Sequence, residues 1–288
     1  MGHVSVLLDE ILGFVPSSVK EGCLLDVTAG GGGHFFAILK AHPLWKGECW
    51  DRDPDAVLRI QQKGVEFQGR YQFLSKEFSK EASPENNFDF ILADLGISSF
   101  QLDDPRRGLS FYSEAPLDFR MNVGEGPSVQ EWLAQKSTKD LEDILIKFGE
   151  EKSYRRISEA LKKLGPDEFS SSQKATSFLM KELRLSHKQG TLHPLTRTYQ
   201  ALRIAVNDEL GELQSFLTWA PRHLKKGGRL AIISFHSLED RKVKRAYESL
   251  SEEGFNILTT KALTPTEEEV IQNPRSRSAK LRIIERMI

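Results

Sequence analysis

The segment that most constrains the fold is Cys23–His34, which reads Cys-Leu-Leu-Asp-Val-Thr-Ala-Gly-Gly-Gly-Gly-His. It predicts a short apolar strand that ends on Asp26, a glycine turn and the start of a helix. Glycine has no Cβ, so a ligand can approach the backbone of such a turn closely. A second short strand, 48–50, ends on Asp51. An acid placed there can accept hydrogen bonds from ribose hydroxyls, and the two features together predict a site for a nucleoside cofactor.

The glycine spacing helps to choose between NAD, FAD and S-adenosylmethionine. Dinucleotide sites use the pattern G-x-G-x-x-G, in which the third glycine allows close helix packing. Counting from Gly30 or Gly31, the sixth position is Phe35 or Phe36, so neither register fits. S-adenosylmethionine has no pyrophosphate and needs only close approach and amide donors, which a helix N-terminus also supplies. The spacing favours S-adenosylmethionine, with a nucleotide-dependent oxidoreductase as the alternative enzyme.

Apolar runs and helical patterns alternate along most of the chain, which predicts an α/β fold with a largely parallel sheet. Helices are expected over 4–14 and 55–63, among others. A closing pair of strands favours the class I (Rossmann-like) methyltransferase sheet, whose seventh strand is antiparallel. The predicted strands are 23–27, 48–50, 71–74, 88–94, 229–236, 255–260 and 280–288.

The alternation of strands and helices is interrupted in the middle of the chain. A loop over 98–122 is too long and too rich in Asp, Arg, Pro and aromatic residues for a simple connection. Three helical patterns follow, at 128–148, 154–164 and 171–185. We therefore predict a discontinuous methyltransferase domain, and a helical insertion that recognises the substrate. The boundaries are 1–103 and 193–288 for the first, and 104–192 for the second.

Composition limits the class of protein. The 288 residues have 39% hydrophobic and 28% charged residues with a formal net charge of −1, which suits a protein with a real core and gives no global sign of nucleic-acid binding. Cys23 and Cys49 are expected to be buried thiols rather than metal ligands. The N-terminus has no basic region and no long apolar run, so we expect a cytoplasmic protein without a membrane partner.

Nucleic-acid contact must therefore rest on local charge. Residues 155–188 hold eight Lys and Arg against four acids, and residues 222–245 hold eight against two. Arg275, Arg277, Lys280 and Arg282 form a third group. Each alone is typical of a solvated face, whereas the three together predict a rim that grips phosphates in a salt-dependent way. The near balance of charge in the insertion favours recognition of shape.

Several longer motifs resemble those of one family, the ribosomal small-subunit methyltransferase H family, also called MraW. They stand in order along the whole chain, and so long a set is highly specific. They are His3–Glu10, Asp26–His34, Asp51–Pro54, Asp94–Asp104, Arg107–Phe111, Pro116–Asn122, Thr196–Arg203, Ile233–Arg241 and Asn273–Ser278.

The resemblance implies an enzyme that methylates N4 of a cytidine in the decoding centre of bacterial 16S ribosomal RNA. It implies S-adenosylmethionine as the donor, no metal, and a methyltransferase domain interrupted by a helical domain. The partner would be 16S rRNA, within the small subunit or free, and the monomeric or dimeric state stays open. A non-enzymatic RNA-binding or assembly factor that keeps a cofactor fold is the remaining alternative.

The resemblance also implies which residues bind the cofactor. Asp51 is expected at the ribose, and Phe78 is expected near adenine, although a lone Phe after a strand is often core. The family pattern places cofactor contacts at Gly32, Gly33, His34, Asp51, Phe78, Asp94 and Gln101.

Asp94 has a second candidate role, because it ends a central strand where open α/β sheets bind their ligands. Enzymes that methylate exocyclic base amines often have Asp/Asn-Pro-Pro-aromatic there, but this chain has Asp94–Ile97, so that geometry does not transfer. Asp94 is the candidate acceptor for the amine. Tyr199, Arg203 and Asn207 are four residues apart on one helical stripe, which is either a solvated face or a surface for an extruded cytosine. His236 is a further candidate at the end of the fifth strand.

Overall fold

The computed structural model describes residues 5–85, 87–188 and 190–287. The predicted start of the first helix at Val4 lies outside these residues, as does His3, and the observed helix is Leu8–Phe14. The chain divides into two compact units. The sheet unit comprises Met1–Gly96 with Leu210–Ile288, and the helical unit is Ile97–Glu209. The helical unit thus extends beyond the predicted insertion at 104–192 on both sides.

The sheet unit contains a seven-stranded sheet in the order β3-β2-β1-β4-β5-β7-β6. Strands β1 to β5 pair in parallel, whereas β7 is antiparallel to both of its neighbours. This is the predicted class I arrangement. The strands are β1 Cys23–Asp26, β2 Lys46–Asp51, β3 Tyr71–Ser75, β4 Phe88–Asp94, β5 Leu224–Ser234, β6 Phe255–Ile257 and β7 Lys280–Arg286.

Two hydrophobic clusters cover the two faces of this sheet. Leu24 and Phe90 belong to one cluster, while their neighbours Leu25 and Ile91 belong to the other. Successive side chains of a strand point to opposite faces, so a central strand buried on both sides must be apolar throughout. Strand β4 satisfies this requirement from Phe90 to Ala93, while the charge of Asp89 near its start is paired with Lys225, and Asp94 closes the strand. The sheet thereby delivers an acid to its carboxyl edge.

The helices differ in several places from the predicted ones. The single helix expected over 128–148 is two helices, because Ser137 caps the second with an Asp140 capping box. The helix that carries Tyr199, Arg203 and Asn207 ends at Asp208, whose φ is +49°. The helices are α1 Leu8–Phe14, α2 Gly33–Ala41, α3 Ala56–Gly64, α4 Ser99–Asp103, α5 Val129–Gln135, α6 Thr138–Gly149, α7 Tyr154–Lys162, α8 Pro166–Phe169, α9 Ser172–Glu182, α10 Thr196–Asn207, α11 Glu209–Trp219, α12 Ser237–Ser251 and α13 Glu267–Gln272.

The helical unit has its own core. Helices α5 to α7, α9 and α10 contribute buried apolar residues to one cluster, with Trp132, Leu145, Leu179 and Leu202 among them. The long loop before α5 adds Leu117 and Phe119 to the same cluster. The loop is therefore held by burial of its apolar residues rather than by regular secondary structure.

The start of α12 also corrects a prediction. The spacing of Ser237 and Asp240 matches a capping box, but His236 is the N-cap and Glu239 completes the box. Strand β5 ends at Ser234, so His236 lies beyond the strand and in the turn to α12. Within the described residues, no helix is long and apolar enough to cross a membrane.

Candidate functional site

The glycine turn links β1 to α2 in a conformation that side chains tolerate poorly. Gly30 and Gly32 have φ values of +53° and +72°, in the left-handed region. A Cβ on Gly32 would also collide with the ring of Phe36 and approach Ile60 within 2.9 Å. Helix α2 begins at Gly33, so its first amides lie at a helix N-terminus, where an anionic group is stabilised. A ligand can therefore approach the backbone of this turn closely and accept hydrogen bonds from its amides.

Asp51 ties this turn to the end of β2. Its Oδ2 accepts a hydrogen bond from the Gly30 amide at 2.7 Å, and its Oδ1 accepts one from the Asp53 amide at 2.8 Å. Burial raises the pKa of Asp51, and the two amide bonds oppose that shift. Each carboxylate oxygen can accept a further bond. Asp51 therefore orders the turn, and its binding of ribose hydroxyls stays a prediction.

Asp26 and Thr28 connect the turn to the neighbouring strand β4. Asp26 is 2% exposed and accepts a hydrogen bond from the Thr28 amide at 3.0 Å. The Thr28 hydroxyl accepts one from the Asp94 amide at 2.6 Å. Burial raises the pKa of Asp26 to about 7, against the influence of His34. Sequence reasoning treated Asp26 only as a strand end; an acid directly before a glycine turn was the available signal.

His34 has a fixed ring orientation. Its Nε2 donates to the Val6 carbonyl oxygen at 2.8 Å, and the side chain is 6% exposed. Burial lowers the pKa of His34, which favours the neutral ring. With the proton on Nε2, Nδ1 is unprotonated and lies 3.7 Å from Oδ2 of Asp94. His34 thus packs behind Asp94 with its hydrogen-bonding proton directed elsewhere.

Asp94 has an acceptor atom with no protein donor. Its Oδ1 is buried and has no hydrogen-bond partner among residues 5–85, 87–188 and 190–287. Burial raises the pKa of Asp94 to about 7, with the charge of Glu239 as a second cause. Buried polar atoms are almost always bonded in folded proteins, so an orphan acceptor at the carboxyl edge of a sheet marks a ligand position.

Glu239 lies near this edge and was not identified from the sequence. It is 3% exposed, and its Oε2 accepts the amides of Phe235 at 2.9 Å and His236 at 3.3 Å. His236 Nδ1 accepts the Glu239 amide at 3.4 Å, and its Nε2 is 3.2 Å from Oε1 of Glu239. The pair holds the turn after β5. The role of Glu239 is hard to predict from the sequence, because Ser237 fits the usual Ser/Thr capping pattern and histidine is not a preferred N-cap residue.

Phe78 lies at the edge of the core. It is partly buried, meets Phe216 edge-on at 5.8 Å between centroids, and its carbonyl oxygen accepts the Trp219 indole N–H at 3.0 Å. The Phe78 ring therefore packs against the hydrophobic cluster on one face of the sheet. Its contact with adenine stays a prediction.

The remaining predicted residues lie in the helical unit and have interior partners there. Gln101 is 6% exposed; its Oε1 accepts the Ser98 amide at 3.0 Å and its Nε2 donates to the Met121 carbonyl at 3.3 Å. It closes a capping box on α4. These bonds use both ends of the amide, and its cofactor contact stays a prediction.

The stripe of Tyr199, Arg203 and Asn207 is not a solvated face. The Tyr199 hydroxyl bonds Thr176 at 2.8 Å, and Arg203 forms a two-point ion pair with Glu209 at 2.7 and 2.9 Å. Asn207 donates to the Phe119 carbonyl at 2.7 Å and accepts the Met121 amide at 2.9 Å. These contacts fix the loop before α5, and a role in binding cytosine stays a prediction.

Ion pairs reduce the net charge of the basic groups. Each of the three groups contains pairs at 3.1 Å or less, which lowers its local positive charge, and the phosphate-binding rim stays a prediction. The pairs are Lys163–Glu182, Lys174–Asp167, Arg222–Glu81, Lys225–Asp89, Arg229–Glu285, Lys280–Asp240 and Arg282–Asp240.

A cavity of about 430 Å³ adjoins the other side of the glycine turn. Gly32 and Gly33 line it together with side chains of α2 and α3, including Lys40 and Lys63. It is lined by helix residues and contains none of the strand-end carboxylates. The cavity is therefore a neighbour of the candidate site rather than its centre.

The sheet order, the glycine turn and the acid at the end of β2 define a class I methyltransferase fold. The model of the MraW methylase family matches residues 1–287. The chain therefore belongs to the MraW methylase family, which confirms the resemblance seen in the motifs. It is an S-adenosylmethionine-dependent methyltransferase family, in agreement with the cofactor favoured by the glycine spacing.

Two curated relatives carry the name ribosomal RNA small subunit methyltransferase H. The protein of Synechococcus sp. (strain RCC307) is 41% identical over 99% of this chain and 95% of its own length. The protein of Nostoc punctiforme is 41% identical over 99% of this chain and 94% of its own. A solved structure titled a putative rRNA-methylase from Clostridium thermocellum is 10% identical, with a TM-score of 0.46 over 100% of this chain and 99% of that one.

Proposed function

We propose that this enzyme methylates the exocyclic N4 of a cytidine in the decoding centre of bacterial 16S ribosomal RNA. The names of the curated relatives support ribosomal RNA of the small subunit as the substrate. The observation that carries the choice of an amine is the orphan acceptor, Oδ1 of Asp94. An exocyclic amine brings N–H donors, which this buried oxygen lacks within the described chain.

The residues present fit S-adenosylmethionine. The amides at the start of α2 would bind its carboxylate, and Asp51, which accepts the Gly30 amide, would bind its ribose hydroxyls. Gly32, Gly33 and His34 would form the cradle, Phe78 would lie near the adenine, and Gln101 follows from the family pattern. When bound, this cofactor supplies an electrophilic methyl group on a sulfonium.

The chemistry requires that the protein position a poor nucleophile. The N4 lone pair of cytosine is delocalised into the ring, so the amine must be turned in line with the methyl group. Bound S-adenosylmethionine would supply the methyl group and would keep the sulfur as its neutral thioether, and one proton of N4 would have to pass to the protein. Asp94 accepts the N–H hydrogen bond and then this proton; a pKa of about 7 suits both tasks near neutral pH.

The partner in this proposal is 16S rRNA, and the site of action is the cytoplasm, where ribosomal subunits assemble. The helical unit would recognise the substrate. Its charged pairs and its ordered loop support recognition of RNA shape over general attraction of phosphate. The exposed side chain of Arg245 in α12 would offer a phosphate contact in the sheet unit.

The decisive experiment is methyl transfer from radiolabelled S-adenosylmethionine to small ribosomal subunits that lack this modification. We expect label on one cytidine, located at N4 by mass spectrometry of RNA fragments. The Asp94→Asn variant, which keeps the size of the side chain, serves as the control. Label on another atom or another RNA would refute the proposed substrate. Bound cofactor with no transfer to any RNA would favour an assembly factor without turnover.

A further inference from the structure

A row of aromatic and imidazole rings leads from the core of the helical unit to its surface. Tyr199 is 6% exposed and lies 4.8 Å from Phe111 between ring centroids. Phe111 stacks on His193 at 4.0 Å with an interplanar angle of 18°. His187 then meets His193 edge-on at 4.9 Å. The inner rings are fixed by packing, so the outer rings have a rigid support.

The outer end of this row is exposed. Tyr112 is 64% exposed and stands at 89° to His193, with centroids 6.3 Å apart. His187 is exposed, and its Nε2 donates to the Thr191 carbonyl at 3.0 Å. Tyr112 is absent from the hydrophobic core of the unit, so its ring is not needed for folding. We call Tyr112, His187 and His193 the ring platform.

The chemistry of the platform fits a nucleic-acid base. Unstacked RNA bases bind to the faces of aromatic and histidine rings, and each stacked base contributes a large share of affinity. Burial and the neighbouring His187 lower the pKa of His193, which keeps its ring neutral. The exposed cations Arg184 and Lys188 are in the same segment as His187 and can contact the adjoining phosphates.

We propose that the ring platform stacks an unpaired base of single-stranded RNA. The open ring faces and the adjacent cations favour RNA over an apolar peptide, which needs a groove to bury its side chains. The proposal rests on the proposed function only for the choice of RNA as the ligand. It concerns RNA binding by the helical unit and involves no step of methyl transfer.

The test is the affinity of the full-length protein for a fluorescein-labelled single-stranded RNA of about twelve nucleotides of mixed sequence, measured by anisotropy. A second probe has the same sugar–phosphate backbone without bases. Tyr112→Ala should weaken binding of the first probe about ten- to a hundredfold and leave the second unchanged. Tyr112→Phe keeps the ring and should bind within about twofold of the wild type.

Leu192→Ala is the matched control, because Leu192 is an exposed apolar residue of the same segment, 72% exposed, without a ring. It should bind both probes like the wild type, and His187→Ala should lose affinity only for the probe with bases. Equal binding by Tyr112→Ala and wild type would overturn the proposal, as would equal losses on both probes. Thermal melts confirm that each variant is folded.

The two proposals fail separately. If Tyr112→Ala binds the RNA normally while methyl transfer proceeds as proposed, the ring platform is refuted and the proposed reaction stands. If the ring variants lose base-dependent binding but no cytidine N4 is methylated, the platform stands and the proposed reaction is refuted.

Discussion

The two units both bury polar side chains at the positions predicted to be functional, but they satisfy them differently. In the sheet unit, Asp94 keeps a buried oxygen without a hydrogen-bond partner in the described chain. In the helical unit, the Asn207 side chain makes three hydrogen bonds, to Phe119, Met121 and Arg203. Gln101 similarly has a partner at each end of its amide.

We interpret the unpaired oxygen of Asp94 as an acceptor for a ligand. The saturated side chains of Asn207 and Gln101 instead hold the backbone of a loop. A buried acceptor without a donor costs about 1–3 kcal/mol, which folding alone gives no reason to retain. A saturated amide instead stabilises the backbone groups that it bonds. The comparison therefore supports our proposal that the chemistry takes place at the strand ends of the sheet unit, whereas Asn207 of α10 supports the loop before α5.

The largest expected effect is on catalysis, at Asp94. Asp94→Asn keeps the shape but cannot take a proton, so we expect kcat for methyl transfer to fall about 10²–10⁴-fold. Single-turnover kinetics at saturating S-adenosylmethionine measure this loss. If the rate recovers fully once the cofactor is saturating, Asp94 only binds the cofactor and the contrast with Asn207 disappears.

Asn207 should affect stability. Asn207→Ala removes three hydrogen bonds at a residue that is 7% exposed, and we expect the free energy of unfolding to fall by about 2–4 kcal/mol. Urea denaturation measures the change. The control is Gln173→Ala, an exposed glutamine side chain in α9, which should change stability by less than about 0.5 kcal/mol. A stable Asn207→Ala protein with lost RNA affinity would instead make Asn207 a substrate contact.

Asp51 combines the two roles, since it orders the glycine turn and has room for ribose hydroxyls. Asp51→Ala should weaken binding of S-adenosylmethionine by about 1–3 kcal/mol, measured by calorimetry. Asp51→Asn keeps one acceptor oxygen for the turn and should lose less. Unchanged affinity in the alanine variant would remove Asp51 from the cofactor site.

The smallest expected effect is a pH dependence. The acceptor form of Asp94 is the carboxylate, and its pKa is raised to about 7. Protonation below that pKa removes the acceptor, so kcat/KM should rise about tenfold from pH 6 to pH 8 and then level off. A residual rate of Asp94→Asn should not show this rise. A profile that is flat for the wild type would indicate that the carboxyl is already ionised well below neutral pH.

The raised pKa values also predict a trend in stability. Asp26 binds its proton more tightly folded than unfolded, so the folded state gains protons relative to the unfolded state between about pH 4 and 7. Its contribution to stability is complete below its unfolded pKa and is lost as the pH rises through about 7. The Asp26→Asn variant should show a weaker decline over that range in urea denaturation.

Much of the fold could be predicted because its signals are local. The apolar run before Asp94 gave strand β4 with its observed bounds, and the glycines after Asp26 marked the turn. The misassigned helices were also local. The pattern of Ser137 with Asp140 is a capping box that the sequence shows directly. The signal at Asp208 is weaker, because Asp adopts positive φ only occasionally.

The sequence by itself determined the class I sheet, the cofactor turn and the family. Strand periodicity, glycine turns and motifs each depend on residues that are close together in the sequence. Only the tertiary structure decided which polar groups are saturated. The Asp94 amide bonds Thr28 from 66 residues away, and Asn207 bonds Phe119 from 88 residues away. Burial and pairing of this kind depend on how distant segments pack, so the type of a polar side chain does not by itself say whether its hydrogen bonds will be satisfied within the protein.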